Sequence, residues 1–101
     1  MKTHYDSFAD FYPFYLSEHS NRTCRRLHFV GTSAAFLMTL QAIESLSGWW
    51  MLAALITGYV FAWFGHAFFE RNRPATFAYP FYSFAGDWAM FRDILVRRIE
   101  F

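Results

Sequence analysis

An all-α membrane protein, a transmembrane helical hairpin with an amphipathic or interfacial helix on each side, is what three features of the sequence predict. The stretch "GWWMLAALITGYVFAWFGHAFFERNRP", Gly48 to Pro74, contains an apolar run long enough to cross a bilayer. A shorter apolar run, "LHFVGTSAAFLMTLQAI", precedes it, and only "SLSG" joins the two, so they form an antiparallel pair. Aromatic residues make up 24% of the chain. A core this small does not readily hide so many rings, whereas membrane interfaces favour Trp and Tyr.

At 101 residues the chain makes one domain, residues 1–101. The first helix is expected over about 7–19, because Phe8, Phe11, Tyr12 and Tyr15 share one face and Ser7 can cap it. Pro13 predicts a kink there, or a later start. Asn21 is an N-cap for a second helix over 22–45, whose small residues from Gly31 to Ala35 allow close packing and permit a homodimer. The third helix, over 49–71, is stopped by Pro74. "FAYPFYSF" has no helical period and reads as interfacial. A fourth helix over 86–98 sets Trp88, Phe91, Ile94 and Leu95 against Arg92, Arg97 and Arg98.

Net charge is +1, and no basic stripe interleaves with stacking rings, which argues against nucleic acid as a partner. The single cysteine, Cys24, can form neither an internal disulfide nor a thiolate zinc site. "MKTHYDSFADF" lacks the apolar core of a signal peptide. Every Lys and Arg lies outside the two apolar runs and their turn, so the positive-inside rule places both chain ends on the cytoplasmic side. Trp49 and Trp50 then mark the opposite interface.

Of the histidines His4, His19, His28 and His66, the last three are candidates for chemistry. His28 lies about as far before the turn as His66 lies after it, so a helical rise of ~1.5 Å per residue puts both roughly 28 Å from the turn, at the cytoplasmic edge. In one continuous helix His19 and His28 would point apart; a break near Asn21 lets the first helix fold back and aim His19 at the same place. Glu70, one turn beyond His66, faces the same way. Spacing alone leaves a metal site and three interfacial histidines equally open.

The blocks "FYPFYLSEHSNRTCRRLHFVGT" and "WFGHAFFERNRPATF" resemble the two signature blocks of the Mpo-like family, whose fungal members are 2-hydroxy fatty acid dioxygenases of the endoplasmic reticulum membrane. The resemblance covers most of Phe11 to Phe77 and maps the family histidines onto His19, His28 and His66 and the family glutamate onto Glu70. Ser20 stands where fungal members can have a further histidine, and this chain is shorter than theirs. The resemblance implies Fe(II)-dependent α-oxidation, in which a long-chain 2-hydroxy fatty acid and O2 yield an acid one carbon shorter. Three imidazoles suit Fe(II) and leave coordination positions open. It also implies that Arg25, Arg26, Arg71 and Arg73, at the level of the histidines, can pair with the substrate carboxylate, lipid phosphate being their other use. Glu18 and Asp87 are candidates for orienting an imidazole, and Glu70 for either that role or a fourth ligand. The alternatives are a zinc hydrolase on the same three histidines, a haem held by His28 and His66, and a lipid-binding or structural hairpin without catalysis.

Overall fold

The computed structural model describes residues 4–101, and every regular element among them is helical. Helix α1 spans Phe8–Ser17, capped by the Ser7 hydroxyl, which accepts the Asp10 N–H at 3.1 Å. The helix starts before Pro13 and continues through it. Pro13 lies on the exposed side of α1, as does Ala9, whose carbonyl loses its usual donor where solvent can replace it. Helix α2 spans Arg22–Ser45 and is capped by the Asn21 side chain, which accepts the Cys24 N–H at 3.1 Å. Leu46 takes the left-handed conformation, φ 55°, and turns the chain into α3, Gly48–Gly65. Five more residues, His66–Glu70, extend α3 as a wide π-turn, and Arg71, φ 57°, ends it.

Helices α2 and α3 pack antiparallel over their length. The continuous helix Gly48–Glu70 is long and apolar enough to cross a membrane, and it is the one helix among the described residues with that character. The expected second span, α2, is long enough at 24 residues, but its three arginines, hydroxyls, Gln41 and Glu44 dilute its apolar run. The hairpin still exposes Leu37, Leu40, Ile43, Leu55, Ile56 and Val60, side chains that water does not favour and lipid does.

Helix α4 starts earlier than its periodicity predicts and ends sooner: it spans Pro80–Leu95. Pro80 is its first residue, where a fixed φ and a missing N–H cost nothing, so the aromatic stretch without a helical period is nonetheless partly helical. A short 3-10 turn, Ala75–Phe77, leads into it. Beyond Leu95 the chain bends back through Arg97, φ 64°, and the Arg98 and Ile99 N–H groups bond to the Asp93 carbonyl. Ser83, Gly86, Met90, Asp93 and Ile94 face inward, while Leu95 is exposed.

Many of the rings are not at a membrane interface at all. Phe11, Tyr15, Met90 and Ile94 form the core between α1 and α4, with Phe8, Tyr12, Phe14, Tyr79 and Tyr82 packed around it. Phe11 meets Tyr79 and Tyr82 at centroid distances of 5.4 Å each. This aromatic body sits against the arginine-bearing end of the hairpin, which brings α1, α2, the π-turn and α4 to one place.

Candidate metal centre

Two glycines set the approach of the backbones. A Cβ on Gly65 would lie 3.0 Å from the Cys24 Sγ, so α2 and α3 touch directly, one residue before His66. A Cβ on Gly86 would lie 2.8 Å from the Tyr15 ring, so α4 comes flat against α1 one turn before His19. His19 itself follows α1, in the short link to Asn21; His28 is in the second turn of α2; His66 opens the π-turn.

All three imidazoles are buried, and their Nε2 atoms converge. His19 Nε2 lies 3.1 Å from His28 Nε2 and 3.0 Å from His66 Nε2. Each Nδ1 is turned outward to an acceptor: the Tyr15 carbonyl at 2.7 Å for His19, the Cys24 carbonyl at 3.2 Å for His28 and the Asn72 Oδ1 at 2.6 Å for His66. The Asn72 amide has only one sensible orientation, because its Nδ2 donates to the Glu18 carbonyl at 3.1 Å and the Glu18 carboxylate at 3.2 Å. Carbonyl oxygens only accept, so each Nδ1 carries the proton and each Nε2 presents a lone pair. Three lone pairs facing one another are repulsive unless a cation sits among them; this is the tautomer pattern of a metal triad. Burial, and then the neighbouring His28 and His66, push the His19 imidazole well below its usual pKa, which keeps it the neutral ligand form.

A void of about 10 Å³ adjoins the triad, with Tyr15, Thr76, Ser83 and Asp87 on its other walls. That is room for one ion or one water. The donor set, the tautomers and the void therefore fit a metal ion held by His19, His28 and His66. Cys24 belongs to the same buried cluster, yet its Sγ approaches His28 at Nδ1, 3.9 Å away, and it does not line the void. Asp87 Oδ1 lies 3.9 Å from His28 Nε2 and accepts a hydrogen bond from the Tyr15 hydroxyl. Burial pushes the Asp87 carboxyl up to about 7 against the pull of that hydroxyl, and burial followed by the Asp87 charge puts the Tyr15 phenol well above its usual value.

From His28 and Asp87 a second cavity, of about 210 Å³, runs along the hairpin. Thr32, Ala35 and Thr39 of α2 and Ala54, Gly58 and Ala62 of α3 are among its walls, and Phe84 and Trp88 of α4 flank it. From His28 to Thr39 it follows α2 for ~16 Å. One end is polar and meets the triad; the rest is almost wholly apolar.

The residues expected from sequence divide. His19, His28 and His66 come together, and His4 is exposed and pairs with Asp6. Glu18 reaches His66 through Asn72, and Asp87 borders the open side of the triad. Glu70 is not among the donors of that buried cluster. Its carboxylate accepts the Asn21 N–H and the Ser20 hydroxyl, tying the end of α3 to the link between α1 and α2. None of the four arginines lines either cavity. Arg25 donates to the His19 and Ser20 carbonyls, Arg26 to the Phe101 carbonyl, Arg73 lies over the Phe77 ring and Arg71 is exposed at the left-handed turn. Asn72, Tyr15 and Ser83 join the site without a motif that marks them for it. For Asn72 the sole sequence signal is a short polar residue just past the helix end.

Fold and site together define a small helical protein with a buried three-histidine centre suited to a transition metal, at the foot of an apolar cavity. The family model described as 2-hydroxy-palmitic acid dioxygenase Mpo1-like matches residues 5–99, and the chain belongs to that family. No curated protein and no solved structure matches the chain.

Proposed function

We propose that this protein is a membrane-bound, non-haem iron dioxygenase that converts 2-hydroxy fatty acids to fatty acids one carbon shorter. The observation that carries the reading is the meeting of three outward-protonated imidazoles at the polar end of an apolar cavity. The family description supports the reaction class. Iron is preferred to zinc because the family description names a dioxygenase, and three imidazoles that leave coordination positions open suit Fe(II).

Iron bound by His19, His28 and His66 would supply the activation of dioxygen. The chain's own residues do the rest. The Tyr15 and Cys24 carbonyls and Asn72 hold the three rings in their ligand tautomers. The cavity along α2 and α3 takes the acyl chain, so the hydroxy-acid head is delivered to the triad. The Tyr15 hydroxyl donates to Asp87 beside that head. The hydroxy acid and dioxygen balance against the shortened acid, carbon dioxide and water, so all the electrons come from the substrate and no nicotinamide or 2-oxo acid is consumed. The hairpin lies in the membrane with its arginine-bearing end and the triad on the cytoplasmic side, where a fatty acid in the bilayer places its carboxylate.

The test is purification without a metal-chelating tag, followed by metal analysis and mass spectrometry of products from 2-hydroxypalmitate. Wild type and His4→Ala should hold iron and make the acid one carbon shorter; His19→Ala, His28→Ala and His66→Ala should do neither. Stoichiometric zinc with no oxygen consumption would replace this reading with a hydrolase, a Soret band would replace it with a haem protein, and no metal in the wild type would leave a non-enzymatic hairpin.

A further inference from the structure

Ser83 is fully buried, at 2% exposure, and its hydroxyl has no hydrogen-bond partner. Ser33, Thr39 and Ser45, also in helices, each donate to the carbonyl four residues back, at 2.8, 2.8 and 2.7 Å. The equivalent carbonyl for Ser83, that of Tyr79, is present and accepts the Ser83 N–H at 2.8 Å, but not the hydroxyl. A buried hydroxyl without a partner costs free energy, and a helix offers this one an easy remedy that it does not take. Ser83 instead forms a wall of the void beside the three histidines, one turn before Asp87 on the same inward face of α4.

The expected carboxylate partners are elsewhere: no arginine reaches the void or the cavity. The void beside the histidines has room for one oxygen of a fatty-acid head, and that oxygen needs a donor other than Tyr15, which already donates to Asp87. We propose that the Ser83 hydroxyl is that donor and hydrogen-bonds to a carboxylate oxygen of the bound 2-hydroxy fatty acid. This rests on the substrate reading above. Ser83 is thereby a substrate-binding residue that holds the head against the triad.

The experiment is calorimetric titration of the iron-loaded protein in detergent, without oxygen, with 2-hydroxypalmitate and with hexadecane-1,2-diol, which lacks the carboxylate. Ser83→Ala should bind 2-hydroxypalmitate about 10-fold or more weakly, as expected for loss of a hydrogen bond to a charged group, and the diol as wild type does. Its iron content should be unchanged. Its melting temperature without ligand should be equal or higher, because the substitution removes an unsatisfied buried group. Unchanged affinity for the hydroxy acid, an equal loss for the diol, or a fall in ligand-free melting temperature would each overturn the assignment. If wild type binds no 2-hydroxypalmitate at all, it is the substrate reading that fails, and this inference with it.

Discussion

Asn72 and Glu70 show how much a single residue's role depends on where the backbone turns. Asn72 is the rigid link between Glu18 and the His66 imidazole, so Asn72→Leu should weaken iron binding about 10–100-fold, measured by competition with a chelator. Glu70 is occupied by Asn21 and Ser20, so Glu70→Gln should keep wild-type iron affinity, while Glu70→Ala should lower the melting temperature through the freed Asn21 N–H. A loss of iron in Glu70→Gln would show that the carboxylate reaches the ion. The histidines are legible in the sequence because equal depth on an antiparallel pair needs only the helical rise and the position of the turn. Asn72 is not. It returns to His66 because Arg71 adopts a left-handed conformation, which a non-glycine residue seldom does and no residue pattern announces.

At the scale of elements, α4 is the part least legible. Its buried face is Ser83, Gly86, Met90, Asp93 and Ile94, and three of these are small or polar, so hydrophobic periodicity finds Ile94 but otherwise points to Trp88, Phe91 and Leu95. Gly86 faces inward because only a residue without a side chain clears the Tyr15 ring. Asp93 is the other clamp between α4 and α1: it accepts the Tyr12 hydroxyl at 2.7 Å and faces Arg92 and Arg98. Burial alone would raise the Asp93 carboxyl, but the Tyr12 and Arg92 hydrogen bonds and the two arginine charges outweigh it and hold it below its usual value. A depressed carboxylate stabilises the fold above the unfolded value of about 3.9, and that contribution is lost as pH falls through the folded one. The gap in melting temperature between wild type and Asp93→Asn should therefore be constant above about pH 5 and close on acidification below about pH 4. Taking the difference cancels Asp87, whose raised pKa acts in the opposite sense. Between α2 and α3, a Cβ on Gly58 meets Ala35 at an ordinary 3.6 Å, so a longer side chain there fits at its root and fills the cavity beyond. Gly58→Leu should bind long 2-hydroxy acids about 10-fold less well than short ones relative to wild type, read as affinity against chain length.

For the molecule as a whole, the aromatic content has two destinations, and composition does not separate them. The rings of α1 and those near the start of α4 build an internal core, while Trp49 and Leu46 at the far turn stay exposed. The arginines gather at the end opposite that turn. In a Cys24→Ala background, cysteines at Ser17 and at Ser47 should be labelled by an impermeant thiol reagent from opposite sides of the membrane; labelling of both from one side would rule out a crossing. Both hairpin helices deliver a histidine to the arginine-bearing end, and the aromatic body supplies the third, so the site exists only where the two halves of the molecule meet.

The wide turn at the end of α3 carries a cost and a use that the rest of that helix does not. A regular helix advances each residue by about 100°, and one residue more per turn shifts everything after it by that angle. For 18 residues α3 keeps a regular phase and is apolar along its whole length. Over His66–Glu70 the phase slips once. His66, before the slip, still points where the helix aims it; Glu70, at its end, reaches the Asn21 N–H and the Ser20 hydroxyl in the link that carries His19. The turn works as a one-step change of register between two obligations, an apolar helix that many apolar side chains would satisfy and a buried histidine cluster that tolerates very few.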